Sequence, residues 1–484
     1  MKRRMLTAAV VVGLIAAVVG VAVAATGDFG VDRDRDLRRR ASQLFGLTKP
    51  LSASSTSTAA LADANTDASK LATFAKGLQV RVITQGTAGQ NIDQMGLWPD
   101  DLHPSHLIAC NEEGTTEPGL QSIDVETGEV VTLVTGLTAC DPVRVTPWGT
   151  ILFGEENGSG PTGGRMYELI DPLSVHDVVL DRTTGIFSGG VGADHLVARP
   201  ALGRLSFEGL AIMPNGVTYY GDENRPSSGT PGGAYFKFIP ASLRDPSAGP
   251  IASLGDSPYA NAGTIYGLRL GKRSGNTDYG QGTQYGLGTW ILVADATAVD
   301  PDLRPLAATS DLTGYYRPED LEIDRAALAA GNVRACGTNT GNESNDRLWG
   351  EVICLTDGSI ADAGTNAATP EVQLLVVGGP ELAMPDNVAY QPGRGNWVIH
   401  EDGDGPIATI PHNNDLWDCL PDGADEDTLS DGCVRIASIN DLVGSEGAAE
   451  WTGGIFNRLG TRFYVSVQHN ETGFGVVYEV TGWK

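Results

Sequence analysis

One plan recurs six times along this chain and restricts its fold more than any other feature. The segments HLIACNEEG (106–114), VRVTPWGTILFGEEN (143–157), FEGLAIMPNGVTYYGDEN (207–224), RPEDLEID with VRACGTNTGNES (317–344), PDNVAYQPGRGNWVIHEDGD (385–404) and TGGIFNRLGTRFYVSVQHNE (452–471) all carry short β-like runs. Each ends in an acid, an amide or a histidine, and most begin with a polar residue ahead of a turn. Gly, Pro, Asn and Asp break the intervening sequence at close intervals, and few stretches beyond residues 325–330 have the spacing of an amphipathic helix. Repetition at roughly blade length, with long insertions between copies, predicts small antiparallel sheets arranged radially. The expected fold is all-β, a β-propeller of about six blades.

The propeller is expected over residues 77–484. Ahead of it, residues 1–26 open with Lys2, Arg3 and Arg4, continue as an apolar run and reach Ala22-Val23-Ala24, the form of an export signal cleaved after residue 24. Either the general secretory route or a twin-arginine route fits, since Arg3-Arg4 is followed by Leu6 but lacks the usual preceding Ser or Thr. The protein is expected to be exported, whether periplasmic, secreted or at the cell surface. An uncleaved leader would make it membrane-anchored, because the run is near spanning length. Residues 25–76 are charged and then rich in Ser, Thr and Ala, which reads as a tether or loosely packed arm.

The formal charge of −27 becomes −30 without the three leader cations. No basic stripe is left to neutralise phosphates, so nucleic acid is excluded as a partner. Six cysteines in an exported chain point to disulfides. Cys336 with Cys354, and Cys419 with Cys433, bracket short loops and are candidate local bridges. Cys110 and Cys140 remain, for a third bridge or for one of them to serve as a ligand. Seven scattered histidines give little support to a histidine-based zinc site.

Hairpin register shows where the acids should meet. With Asn215-Gly216 as a two-residue turn, Glu208 falls opposite Glu223. A turn centred on Arg394-Gly395 sets Asn387 opposite Asp402, and a loop over Thr146 to Gly149 sets Cys140 opposite Glu155. Directly opposed carboxylates repel, and in a propeller these strand ends converge on one mouth of the central channel. Such a ring needs cations, and oxygen donors suit hard ions such as calcium, while a thiolate or several carboxylates also hold iron. In YYRPED (315–320), Arg317 stands two residues before Glu319 with a proline between, a setting suited to binding a phosphate or carboxylate oxygen.

These segments resemble the PhoX-type alkaline phosphatases, exported metal-dependent propeller enzymes. The resemblance rests on TPWGTILFGEEN (146–157), FEGLAIMPNG (207–216) with GDEN (221–224), RPEDLEID (317–324), PDNVAY (385–390) with HEDGD (400–404), and FYVSVQHNE (463–471), in family order. It implies iron and calcium in the channel, with iron held by the Cys140 thiolate and by Glu155, Glu208 and Glu319, and Arg317 on the substrate phosphate. Asp222, Glu223, Asp320, Asp386, Asn387, Glu401 and Asp402 are the calcium candidates by motif position and register. Around Cys140 the chain reads Ala139-Cys140-Asp141-Pro142-Val143, where the family's cysteine usually stands in an Asn-Cys-Ala-Gly-Gly setting.

The implied activity is hydrolysis of small phosphate monoesters by a monomer, with Arg317 and Glu319 at the reacting centre and a metal-bound oxo or hydroxide as nucleophile. Two other readings use a similar ring of acids. One is a calcium-dependent lactonase or esterase, which would have no need of the guanidinium. The other is a non-catalytic calcium-binding propeller, which a Cys110–Cys140 bridge would favour.

Overall fold

The computed structural model describes residues 29–226, 232–270, 285–341, 349–402, 413–422, 429–440 and 449–484, with backbone alone for 29–32. The leader expected over residues 1–24 lies outside them. Among the described residues no helix is long and apolar enough to cross a membrane.

Among the described residues, six antiparallel meanders form a β-propeller. Their innermost strands are Ile92–Trp98, Cys140–Val145, Phe207–Ile212, Pro318–Ile323, Pro385–Tyr390 and Glu450–Phe456. Each packs against the next in chain order, and the sixth returns to the first. The third and fourth meanders join at their outer edges, where Gly286 faces Val372 and Leu287 faces Glu371. The ring is closed by Gln79–Ala88, which precedes the first blade but is the outer strand of the sixth, paired with Gly475–Thr481.

Every innermost strand carries the same irregularity. Ile92 pairs with Asn111 and Met95 with Ala109, so Asp93 and Gln94 oppose the single residue Cys110. The same two-against-one step occurs at Cys140/Val143, Phe207/Leu210, Pro318/Leu321, Pro385/Val388 and Thr452/Ile455. It is a β-bulge, which bends the strand and re-aims one side chain. In five of the six blades the first bulged residue is an acid: Asp93, Asp141, Glu208, Glu319 and Asp386. In the sixth it is Gly453, at φ +65°, where a side chain would collide with the Asp93 carbonyl.

The bulges and the observed loop lengths correct the register expected from the turns. Ile212 faces Thr218 across a Pro214-Asn215-Gly216 loop with Gly216 at φ +90°, so Phe207, not Glu208, is paired, and its partner is Asp222. Likewise Pro385 pairs with Glu401, in place of Asn387 with Asp402. Cys140 does face Glu155, because a loop one residue shorter than expected is offset by the bulge.

Within residues 25–76, expected to be a tether or loosely packed arm, residues 33–76 are packed against the fifth and sixth blades. Phe45 and Leu47 are fully buried with Trp451, Phe456 and Phe463, and Ala64, Ala68 and Leu71 join the same core. Ala72–Phe74 extends the fifth blade beside Cys433–Ile439. The composition hides this packing because much of the contact is made by alanines. The expected Cys336–Cys354 and Cys419–Cys433 bridges are present, each between directly paired residues of neighbouring strands. The third bridge, Cys110–Cys140, ties the first blade to the second.

Candidate active site

The bulge acids share one mouth of the channel. Asp93, Asp141, Glu208, Glu319 and Asp386 line a cavity of about 340 Å³. A second tier comes from residues just beyond the strands that return from the turns: Glu112, Glu156, Glu223 and Asp402 follow Asn111, Glu155, Asp222 and Glu401. Glu450, Gln468 and His469 of the sixth blade complete the wall. Below them Arg144 crosses the channel, donating to Gln94 Oε1 at 2.5 Å and to Asp320 Oδ1 at 2.6 Å, which closes the floor with an ion pair between the second and fourth blades.

Ten carboxylates therefore face one guanidinium, Arg317. Arg317 Nε lies 2.9 Å from Glu223 Oε1 and 3.1 Å from Glu319 Oε1, and Nη2 lies 3.6 Å from Asp402 Oδ2. Its backbone is left-handed, at φ +55°. Pro318 disfavours the right-handed helical region for the residue before it. Two backbone bonds hold the conformation: Arg317 N–H donates to the Asn224 carbonyl at 3.1 Å, and Thr340 N–H donates to the Arg317 carbonyl at 3.0 Å. Ala139 and Met384, each one residue before an innermost strand, are left-handed as well, but only at Arg317 does the chain place a cation at this step. Non-glycine residues in this region cost about 1–3 kcal/mol and cluster at functional sites.

Burial first, and neighbouring carboxylates second, push Asp93, Glu156, Glu208, Asp386 and Glu450 well above the usual carboxylate range. Burial raises Asp141 to about 7. Burial also raises Glu319, against the opposing pull of Arg317. Arg317 itself is held charged: burial works against the guanidinium, and Glu319 and Asp402 overcome it. Asp93 Oδ1, Asp141 Oδ1 and Glu208 Oε1 are buried with no hydrogen-bond partner. Buried carboxylate oxygens facing one another without donors are the donor set of a hard cation, so the residues present fit calcium, and they fit iron through oxygen. Among the described residues no three His, Cys, Asp or Glu side chains are gathered closely enough to define one ion position.

Of the residues expected at the site, Glu208, Glu223, Arg317, Glu319, Asp386 and Asp402 line the cavity and the rest do not. Cys140 is bridged to Cys110, so it offers no thiolate. Glu155 turns into its blade, accepting from Arg182 Nε at 2.6 Å, Tyr167 Oη at 3.0 Å and Thr138 N–H at 3.0 Å. Asp222 is held by Arg304, with Nη2 to Oδ1 at 2.7 Å. Glu401 accepts from the Ala383 and Asp415 amides at 2.9 Å each and from Trp417 Nε1 at 3.1 Å. Asp320 is taken by Arg144, and Asn387 Oδ1 accepts the Gly453 amide at 2.7 Å.

Asp93, Glu112, Asp141, Glu156, Glu450, Gln468 and His469 were not among the expected residues. The first and third had a signal in the four-residue pattern of the bulge itself: Ile92-Asp93-Gln94-Met95, Cys140-Asp141-Pro142-Val143, Phe207-Glu208-Gly209-Leu210, Pro318-Glu319-Asp320-Leu321, Pro385-Asp386-Asn387-Val388 and Thr452-Gly453-Gly454-Ile455.

Residues 193–471 match the family described as alkaline phosphatase PhoX, more than half of the 484 residues. The chain belongs to that family. Phosphoric monoester hydrolysis is the enzyme class that goes with it. The matched region contains Glu208, Arg317, Glu319 and Asp386, and begins after Cys140 and Glu155. Among solved structures the chain is similar to Pseudomonas fluorescens PhoX in complex with vanadate, a transition state analogue, at 15% identity and a TM-score of 0.60, covering 90% of this chain and 98% of that one. That likeness supports the propeller fold. A streptogramin B lyase (11% identity, TM-score 0.36, 84% and 97% covered) and a glucose dehydrogenase (9%, 0.41, 83% and 98%) are also similar. No curated protein sequence matches this one significantly.

Proposed function

We propose that this protein hydrolyses small phosphate monoesters outside the cytoplasm, with Arg317 holding the phosphate at the acidic mouth of the channel. The observation that carries the reading is the position of Arg317: among the described residues the cavity's single guanidinium, partly buried, on a left-handed backbone and touching Glu223 and Glu319. A guanidinium recognises phosphate oxygens through paired, directed N–H groups.

The acids explain why cations are required. A phosphate dianion would be repelled by ten carboxylates, and the overall charge of −27 adds to that repulsion. Calcium and iron, bound by the channel acids, would supply the positive charge the phosphate needs and acidify a water near neutral pH. Glu208, Glu319 and Asp386 are the bulge acids with the support of both motif and geometry, and Glu223 and Asp402 stand above them. Cations held by Glu223, Glu319 and Asp402 would compete with Arg317 for these carboxylates, which now lie 2.9, 3.1 and 3.6 Å from it.

The test is p-nitrophenyl phosphate hydrolysis at mildly alkaline pH by protein exported with calcium and iron available, before and after chelation, beside Arg317→Ala. Activity lost in both arms supports the reading. Folded, metal-loaded protein with no activity on this or other phosphomonoesters overturns it.

A further inference from the structure

The resemblance implies iron on a cysteine thiolate, and the fold leaves no thiol for that bond. All six cysteines of the sequence are paired, as Cys110–Cys140, Cys336–Cys354 and Cys419–Cys433. Cys140 is moreover the strand-paired residue of its bulge, and it belongs to the apolar cluster of Leu120, Val143 and Phe153 between the first two blades. The next residue, Asp141, takes the channel wall.

We propose that the metal centre of this chain is built from oxygen donors without a thiolate, with Asp141 as the second blade's ligand, and that it selects hard cations, calcium foremost, with any iron held by carboxylates. Asp141 occupies the bulge position that Asp93, Glu208, Glu319 and Asp386 occupy in their blades, so five blades of six deliver one carboxylate each to a common ring. Asp93, Asp141 and Glu208 are 5%, 3% and 2% exposed, and each has an oxygen with no hydrogen-bond partner. Among the described residues the cavity's one imidazole, His469, is at the rim, its Nε2 3.2 Å from Glu450 Oε1. Carboxylate oxygens without sulfur favour calcium and similar hard ions over metals that prefer thiolate. The inference concerns the centre's composition and holds whichever phosphoester, if any, is cleaved.

The experiment uses the full chain, exported with calcium and iron present and never reduced. Thiols are counted after unfolding without reductant, the visible spectrum is recorded, and calcium and iron per chain are measured by elemental analysis. The expected results are no titratable thiol and no thiolate-to-iron charge-transfer band. Asp141→Asn is expected to lose at least one equivalent of bound metal, whereas the Cys110→Ser/Cys140→Ser double variant keeps the full complement. Free thiols together with a visible band that Cys140→Ser abolishes would overturn the proposal, as would unchanged metal content in Asp141→Asn. The thiol count and spectrum are read on the unaltered protein, so they decide the matter even where a variant fails to fold. Metal retained without phosphatase activity would count against the proposed function and leave this inference standing.

Discussion

Glu155 and Glu156 are neighbours in the chain and face opposite ways. Glu155 is enclosed by Arg182, Tyr167 and the Thr138 amide, whereas Glu156 lines the channel. Successive side chains of a strand point to opposite faces, so one residue separates a structural carboxylate from one at the site.

The two should therefore fail differently. Glu155→Gln leaves the Arg182 charge without its buried partner and is expected to cost on the order of 3 kcal/mol of stability. Glu156→Gln should reduce bound calcium while leaving urea-unfolding midpoints of the metal-free protein unchanged or raised, because it removes a repelling charge. Equal destabilisation by both would contradict the assignment of faces.

Arg317→Lys should not rescue Arg317→Ala. A lysine retains the charge but not the paired N–H geometry, and removal of one such donor from a reacting centre costs roughly 10²–10³-fold in rate. The readout is kcat and KM for p-nitrophenyl phosphate on metal-loaded protein. A lysine variant with near wild-type kcat would show that charge alone suffices.

Metal-free protein should become less stable as pH rises. Asp141 titrates at about 7 in the fold and near 4 in an unfolded chain, so the folded state binds the proton more tightly. That contribution is present below about pH 4 and is lost as pH rises through 7, a change on the order of a few kcal/mol. Calorimetry in chelator from pH 5 to 8 should show a falling Tm, and saturating calcium should flatten the trend. A Tm that rises over this range in chelator would refute it.

Phe45→Ala tests the N-terminal arm. Full burial against the sixth blade predicts a loss of about 3–5 kcal/mol, measured by denaturant unfolding. A flexible tether would show no effect.

The hairpins were legible in the sequence because turn residues and apolar alternation are local signals. Asn215-Gly216 and Arg394-Gly395 do mark loops between the first and second strands of the third and fifth blades. What local signals omit is the single extra residue of each bulge, and a one-residue slip exchanges the two faces of a strand. Hence Glu155, Asp222 and Glu401 were expected in the channel and do not line it, Glu156 does line it and was missed, and Glu223 and Asp402 were expected there beside their neighbours. Asp93 and Asp141 become visible only when the six bulges are aligned with one another. Arg317 and Glu319 were expected at the site and both line the cavity. Cys140 was the misleading case: its partner Glu155 was right, but a pairing does not say which face a side chain takes, and Cys110 was within reach on the neighbouring blade.

The pairing of Gln79 with Thr481 gives the enzyme a birth order. The strand that completes the sixth blade is synthesised before any innermost strand, yet it has nothing to join until the last residues emerge. The five ring carboxylates come from five consecutive blades, so no nascent fragment carries them all in their final arrangement. A product shortened at either end would lose the latch that joins the first-made strand to the last.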